Sequence, residues 1–231
     1  MKGLNNMKNY ICIDGNKTEL TNEQLQQLGI KLDTSVSEFV ELFRGNDFRA
    51  KYDVGDTVEL CGDEYIIIGF DHDDENSVTL MKKVLLPPAC MHDEYNCEHG
   101  WQGAKLRKWL NEEYIKTMPP ELVNAIQPVV KVSHNYRGEK YTTEDKLFIL
   151  SESELFGSAI YSRKEDGDRY ELFATSADRV MCDEDGDSCW YWTRSAGGGA
   201  SAGFCLVSRH GDAYSHSASS AHRVPLCFTI A

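Results

Sequence analysis

The chain has 231 residues, with 24 Lys+Arg against 37 Asp+Glu, a formal net charge of −13, and 41% hydrophobic, 10% aromatic and 26% charged residues. That size and composition describe a globular chain able to bury a full core, one domain with an N-terminal appendage rather than two equal domains. The charge excludes a phosphate-neutralising nucleic-acid face and disfavours an anionic membrane surface, because the densest basic cluster, Lys105-Leu106-Arg107-Lys108, is a single helical turn.

From Met1 to Lys8 no apolar run is long enough for a signal peptide, and nowhere do 18 apolar residues follow one another. The expectation is synthesis in a cytoplasm, no membrane insertion, and eight cysteines kept as reduced thiols. Residues 9–13 read as a strand, and Asp14-Gly15-Asn16-Lys17 as a hairpin turn. Thr21 with Gln24 forms a capping-box pattern that predicts a helix to Gly29, and Val36, Phe39, Val40 and Phe43 share one face of a second helix over 35–43. These elements make residues 1–50 a small arm, packed on the main domain or on a neighbouring subunit.

After Lys51 the pattern turns β-rich. Residues 57–61 and 64–70 are predicted strands joined at Gly62-Asp63, and 78–81 a third. Leu106, Trp109 and Leu110 mark an amphipathic helix over 105–114 that Pro119-Pro120 stops, with more helix over 121–126. Residues 146–150, Lys-Leu-Phe-Ile-Leu, read as a buried strand leading into a short helix at Ser153. Helices and strands come in blocks, which is an α+β layout.

Three clusters invite a metal. Cys90, His92, Cys97 and His99 carry the soft ligands zinc prefers, but the intervening Asp93, Glu94, Tyr95 and Asn96 fit an exposed polar loop better. Asp183, Asp185 and Asp187 around Gly186 imitate the start of a calcium loop, yet Trp192 stands where its bidentate Glu belongs. His210, His216 and His222, spaced six apart, resemble a three-histidine iron set, although regular spacing in a turn-rich segment does not bring imidazoles together. No phosphate loop, dinucleotide fingerprint, His-Glu-x-x-His or Gly-x-Ser-x-Gly is present. No metal or cofactor is expected.

The tail is the most unusual stretch. Between Trp190-Tyr191-Trp192-Thr193-Arg194-Ser195 and Arg223-Val224-Pro225-Leu226-Cys227-Phe228, the 27 residues from Ala196 to His222 contain no Lys, Glu, Gln, Met or Trp, types that supply 48 of the 231 residues. With Val207-Ser208-Arg209-His210-Gly211, the helix-like Leu106–Tyr114 and the strand-like Asp145–Ser151, these motifs resemble a bacterial and phage domain of the C-type lectin fold, over about 51–231. Two positions depart from that pattern: Ala196 where Pro is common, and Arg223 where Gly is common.

Within that fold class the chain is similar to the variable proteins of diversity-generating retroelements, whose C-terminal segment is rewritten at adenines. Asn codons randomised at both adenines cannot encode the five missing residue types. The resemblance implies a non-enzymatic ligand-binding protein with a variable region at about 190–231. Its rigid framework would be Trp190, Trp192, Val207, Val224, Pro225 and Phe228, with Arg194 and Ser195 structural and the Arg194 guanidinium fixing nearby carbonyls. Strand alternation places Cys205 and Val207 inward and Leu206 and Ser208 outward. The expected contact set is Leu206, Ser208, Arg209, His210, Asp212, Tyr214, His216, Ser217, Ser219, Ser220 and His222, mixing aromatic anchors with small polar neighbours as paratopes do. The implied ligand is a protein or glycan on another cell or particle, a phage-borne receptor-binding role is one version, and a homo-oligomer stays open. The alternatives are an enzyme of the formylglycine-generating or sulfoxide-synthase type, which needs Cys205 and Cys227 close together or the histidines converging, and a structural domain of a phage particle.

Overall fold

A computed structural model of the chain describes residues 10–13, 16–19, 36–45, 48–199 and 202–231. The helix expected over 21–29 lies outside them. Strands β1 (Tyr10–Ile13) and β2 (Asn16–Glu19) pair antiparallel, with Ile13 opposite Asn16. Helices α1 (Val36–Arg44) and α2 (Phe48–Lys51) follow, and Val36, Phe39 and Phe48 are buried in the same core as the rest of the chain. Phe48 meets the rings of Phe39 and Phe43 edge-on and that of Phe70 at 6.0 Å, which fixes these helices to the sheet behind them.

Two five-stranded sheets carry the core, and their strands pair antiparallel throughout except β10 with β13. The first has the order β3-β4-β5-β14-β7, from β3 (Thr57–Leu60), β4 (Asp63–Phe70), β5 (Val78–Lys82), β7 (Ile126–Gln127) and β14 (Cys227–Ile230). The second has the order β12-β11-β10-β13-β6, from β6 (Leu86–Cys90), β10 (Tyr191–Ala196), β11 (Gly203–Val207), β12 (Ala213–Ser217) and β13 (Ala221–Val224). The run Val224-Pro225-Leu226-Cys227 passes from one sheet to the other, and the Lys82 amide donates to Leu226 O at the crossing. Between the sheets in sequence lie α3 (Gly100–Gly103), α4 (Lys105–Glu112), α5 (Pro120–Ala125), the hairpin β8 (Val129–His134) with β9 (Lys140–Asp145), and α6 (Glu152–Phe156). The protein is a mixed α+β structure of mostly antiparallel sheets with few helices.

Two local expectations are corrected. The β3–β4 turn is Cys61-Gly62, both at positive φ (55° and 81°), with Leu60 opposite Asp63. Two consecutive left-handed residues make the primed turn that matches strand twist, which places it one residue earlier than Gly62-Asp63. Residues 147–150 are buried, but 146–150 form no strand beyond a single bridge, Phe148 to Cys227. The Arg194 amide donates to Leu150 O, and side chains satisfy other backbone groups: Asn111 Oδ1 accepts from the amides of Lys146 and Leu147, Asn111 Nδ2 donates to Leu147 O, and Arg194 Nη1 donates to Ile149 O. Helix α6 then starts on a capping box, the Ser151 hydroxyl accepting from Glu154 N and the Glu154 carboxylate accepting from Ser151 N.

Candidate functional site

The tail divides into a buried framework and an exposed edge. Trp192 is fully buried on β10, its indole donating to Ala89 O at 2.8 Å. Phe204, Cys205, Leu206 and Val207 on β11 are all buried, because β11 lies between β10 and β12 and both its faces are covered. Leu206 is therefore covered and not exposed as alternation implied. Ser208 is buried too, at 6% exposure, and its hydroxyl accepts from the amides of His210 and Asp212. It is a turn-former. Gly211 completes that turn at φ +81°, and a β-carbon there would lie 1.9 Å from Ser176 O.

The rest of the expected contact set lies at or near the surface. Arg209, His210, Asp212, Tyr214, His216 and Ser219 are exposed, and Ser217, Ser220 and His222 are half-buried. Tyr214 and His216 project from the same face of β12, beside Leu206 and Phe204 of β11. The Tyr214 ring meets Trp190 edge-on at 5.3 Å. His222 stands edge-on to Trp192 at 4.8 Å and to His216 at 5.1 Å, with its Nε2 buried and without a hydrogen-bond partner. Burial pushes the His222 imidazole down from its ordinary value, and the neighbouring His216 adds to that.

Ile160 and Tyr161 extend this surface, and sequence reading did not include them. They are 52% and 43% exposed, and the Tyr161 ring is 6.1 Å from Tyr214. Their loop is held by a carboxylate: buried Glu152 accepts from the amides of Ile160, Tyr161 and Ser162 and from the Ser162 hydroxyl. The only sequence signal was two large apolar residues side by side in a small-residue loop.

Beneath the surface lies a network of buried charges. Arg194, 1% exposed, makes a two-pronged pair with Glu154 and donates to the carbonyls of Val132, Ile149 and Asp166. This is the carbonyl-fixing role the sequence implied. Lys131 pairs with Asp73, lies 3.4 Å from Glu154 Oε1 and donates to the Tyr170 hydroxyl at 3.0 Å. Asp73 Oδ2 accepts from Thr79, Tyr170 and Thr229. Burial alone would raise Asp73 and Glu154, but Lys131 beside the first and Arg194 beside the second hold both carboxyls below their usual range. Asp166 goes the other way, raised by burial against the pull of Arg194 and of His134, whose Nδ1 lies 2.6 Å away.

His72, Asp73 and Glu154 are the one group of three metal-type donors that converge among the described residues. The carboxylate oxygens already receive Lys131, Arg194, three hydroxyls and a backbone amide, and the His72 ring is stacked 3.6 Å from Tyr170. Two buried cations already balance the two carboxylates, which makes the group an internal strut of paired charges.

The other three clusters do not assemble as ligand sets. Cys97 is buried, while Cys90 donates to Ser219 O. Asp183 accepts from the amides of Asp185 and Asp187 and from Arg223, so a guanidinium occupies the loop that resembled a calcium site. His216 and His222 touch each other, but His210 lies in the 208–212 turn. Cys205 and Cys227 sit in different sheets, both buried, and burial pushes both thiols well up, away from the thiolate that binds metal or attacks.

A family model described as "Domain of unknown function (DUF6273)" matches residues 75–231. Comparison with curated proteins and with solved structures finds no match.

Proposed function

The chain belongs to the DUF6273 family, and we propose that it is a non-enzymatic ligand-binding protein of C-type lectin-like fold that displays an interchangeable surface made by its C-terminal segment. One observation carries this reading. Within the described part of the compositionally restricted stretch 196–222, Phe204 to Val207 of β11 are buried, whereas Arg209, His210, Asp212, Tyr214, His216 and Ser219, on β12 and in its two turns, are exposed. Arg209, His210, Asp212, Tyr214, His216 and Ser219 can vary without disturbing the core, since exposed substitutions change folding free energy by no more than about 0.5 kcal/mol. Tyr161 and Trp190 supply fixed aromatic area beside them and Ile160 adds exposed aliphatic area, the combination of rigid anchors and adaptable small residues that suits recognition of many partners. The ligand is a protein or glycan on another cell or particle.

Two measurements test this. The DNA flanking the gene should hold a near-copy of the segment encoding about 190–231 that differs mainly at adenines, together with a reverse transcriptase; a flank with neither removes the diversification. Arrays of glycans and of cell-surface proteins probed with the chain should give signals that Tyr214→Ala abolishes. Signals that survive Tyr214→Ala and Tyr161→Ala together would move the binding site elsewhere.

A further inference from the structure

The four edges of the two five-stranded sheets are β12, β6, β3 and β7. Exposed edges invite other strands, and proteins blunt them with charge, proline or shortness. Strand β6 carries Pro87 and Pro88, β3 carries Glu59, and β7 has two residues. Strand β12, Ala213-Tyr214-Ser215-His216-Ser217, has five residues, no proline and no carboxylate or ammonium group.

The hydrogen-bond pattern shows which of its backbone groups point away from the sheet. The Gly197 amide donates to Gly203 O, so the odd-numbered residues of β11 turn their backbone groups to β10. Ala218 N donates to Ala202 O and Ser208 N to Asp212 O, so the even-numbered ones face β12. Phe204 with His216 and Leu206 with Tyr214 are then the hydrogen-bonded pairs, and Ala213, Ser215 and Ser217 direct their N–H and C=O groups outward. Among the described residues no backbone group meets them except Ser220 N, which donates to Ser217 O and leaves that carbonyl a second lone pair.

We propose that this edge pairs with the same edge of a second copy of the chain, antiparallel about a two-fold axis at Ser215, joining two five-stranded sheets into one of ten. The strand is self-complementary in that register. Ser215 faces Ser215, and Ala213 faces Ser217 twice, so the outward amides and carbonyls of all three meet partners. Tyr214 falls opposite His216 on both sides of the axis, in the closer, non-hydrogen-bonded pairs where side chains touch. The charge distribution favours the same occupant: a chain of net charge −13 repels its copy over most surfaces, and this strand brings no charge to the contact. The charges nearest in sequence, Arg209 and Asp212, lie outside the paired residues and oppose each other in sign. Five residues of pairing bury less than the ~1,200 Å² of a standard interface, so the dimer is a weak one. This inference does not depend on what the surface binds.

Sedimentation equilibrium of the full chain from about 5 to about 500 µM tests it by mass action. In 0.15 M NaCl the mean mass should rise from 26.1 kDa toward twice that value. Lowering the salt to about 0.01 M lengthens electrostatic repulsion to about 30 Å and should weaken the dimer severalfold. Ser215→Pro removes an outward amide without touching the β10–β11–β12 ladder, and Ser215→Lys sets two ammonium groups against each other across the axis. Each should raise Kd at least tenfold while circular dichroism stays native. An equimolar mixture of Ser215→Lys and Ser215→Glu chains should regain the dimer mass, which keeps the test valid if the proline variant does not fold. A wild-type chain that stays at 26.1 kDa throughout overturns the proposal and leaves the edge to a strand of a different protein. Dimerisation unchanged by all three substitutions overturns it as well, by placing the interface elsewhere.

Discussion

Replacing Arg194 by Met keeps the length and apolar stem of the side chain and removes its charge and donors. Glu154 then loses both prongs of its pair, and the carbonyls of Val132, Ile149 and Asp166 each lose a donor. Breaking one side of a buried ion pair costs about 3–5 kcal/mol. Each orphaned acceptor adds on the order of 1 kcal/mol. The sum, at least about 5 kcal/mol, is comparable with the roughly 5–15 kcal/mol that holds a domain of this kind folded. Urea unfolding followed by tryptophan fluorescence at pH 7 should show Arg194→Met largely unfolded or barely stable. Adding Glu154→Gln removes the uncompensated carboxylate, and the double variant should recover about 1–3 kcal/mol relative to additivity. A loss below about 1.5 kcal/mol for the single variant, within the ordinary range for substitutions, would show that Arg194 is not the strut described.

Gly211→Ala should destabilise by more than the roughly 1–3 kcal/mol of left-handed strain, because the new methyl also meets the Ser176 carbonyl; an unchanged urea midpoint would contradict the turn geometry. Alanine at Arg209, His210, Asp212 or His216 should each stay within about 0.5 kcal/mol of wild type by the same assay, and larger losses would show that the edge is framework. The pH dependence has a definite sign. Burial lowers the imidazole pKa of His72, His92 and His222 below the ordinary 6.5, so in that window the unfolded chain binds more protons, and stability falls as pH drops below about 6.5. Thermal unfolding at pH 7.5 and pH 5.5 should give the lower Tm at 5.5, and an equal or higher one would refute the burial assignment.

Parts of this structure were legible in the sequence because their causes are local. Val36, Phe39 and Phe43 recur at helical spacing, the β3–β4 hairpin announces itself through a glycine between β-branched runs, and α6 through a Ser-x-x-Glu cap. The outward reading of Leu206 failed for a non-local reason: alternation predicts an exposed face only where a sheet has one, and β11 is flanked by strands on both sides and covered on both faces. Residues 146–150 read as a strand because they are apolar, but Asn111 and Arg194, distant in sequence, satisfy their backbone. Tyr161 is not legible in the sequence because its position depends on the Glu152 carboxylate gathering three amides eight to ten residues downstream, an arrangement with no periodicity. The buried pairing of Asp73 with Lys131 joins residues 58 apart and left no local pattern.

The central claim is a stiff scaffold carrying an exchangeable outer face, and two libraries test it most directly. One randomises Arg209, His210, Asp212, Tyr214, His216 and Ser219; the other randomises Phe204, Leu206, Ser208 and Gly211. The measurement is the fraction of members that resist a protease at a dose that digests the unfolded chain. The account predicts that most of the first library survives and nearly all of the second is cleaved; equal survival of the two would contradict it.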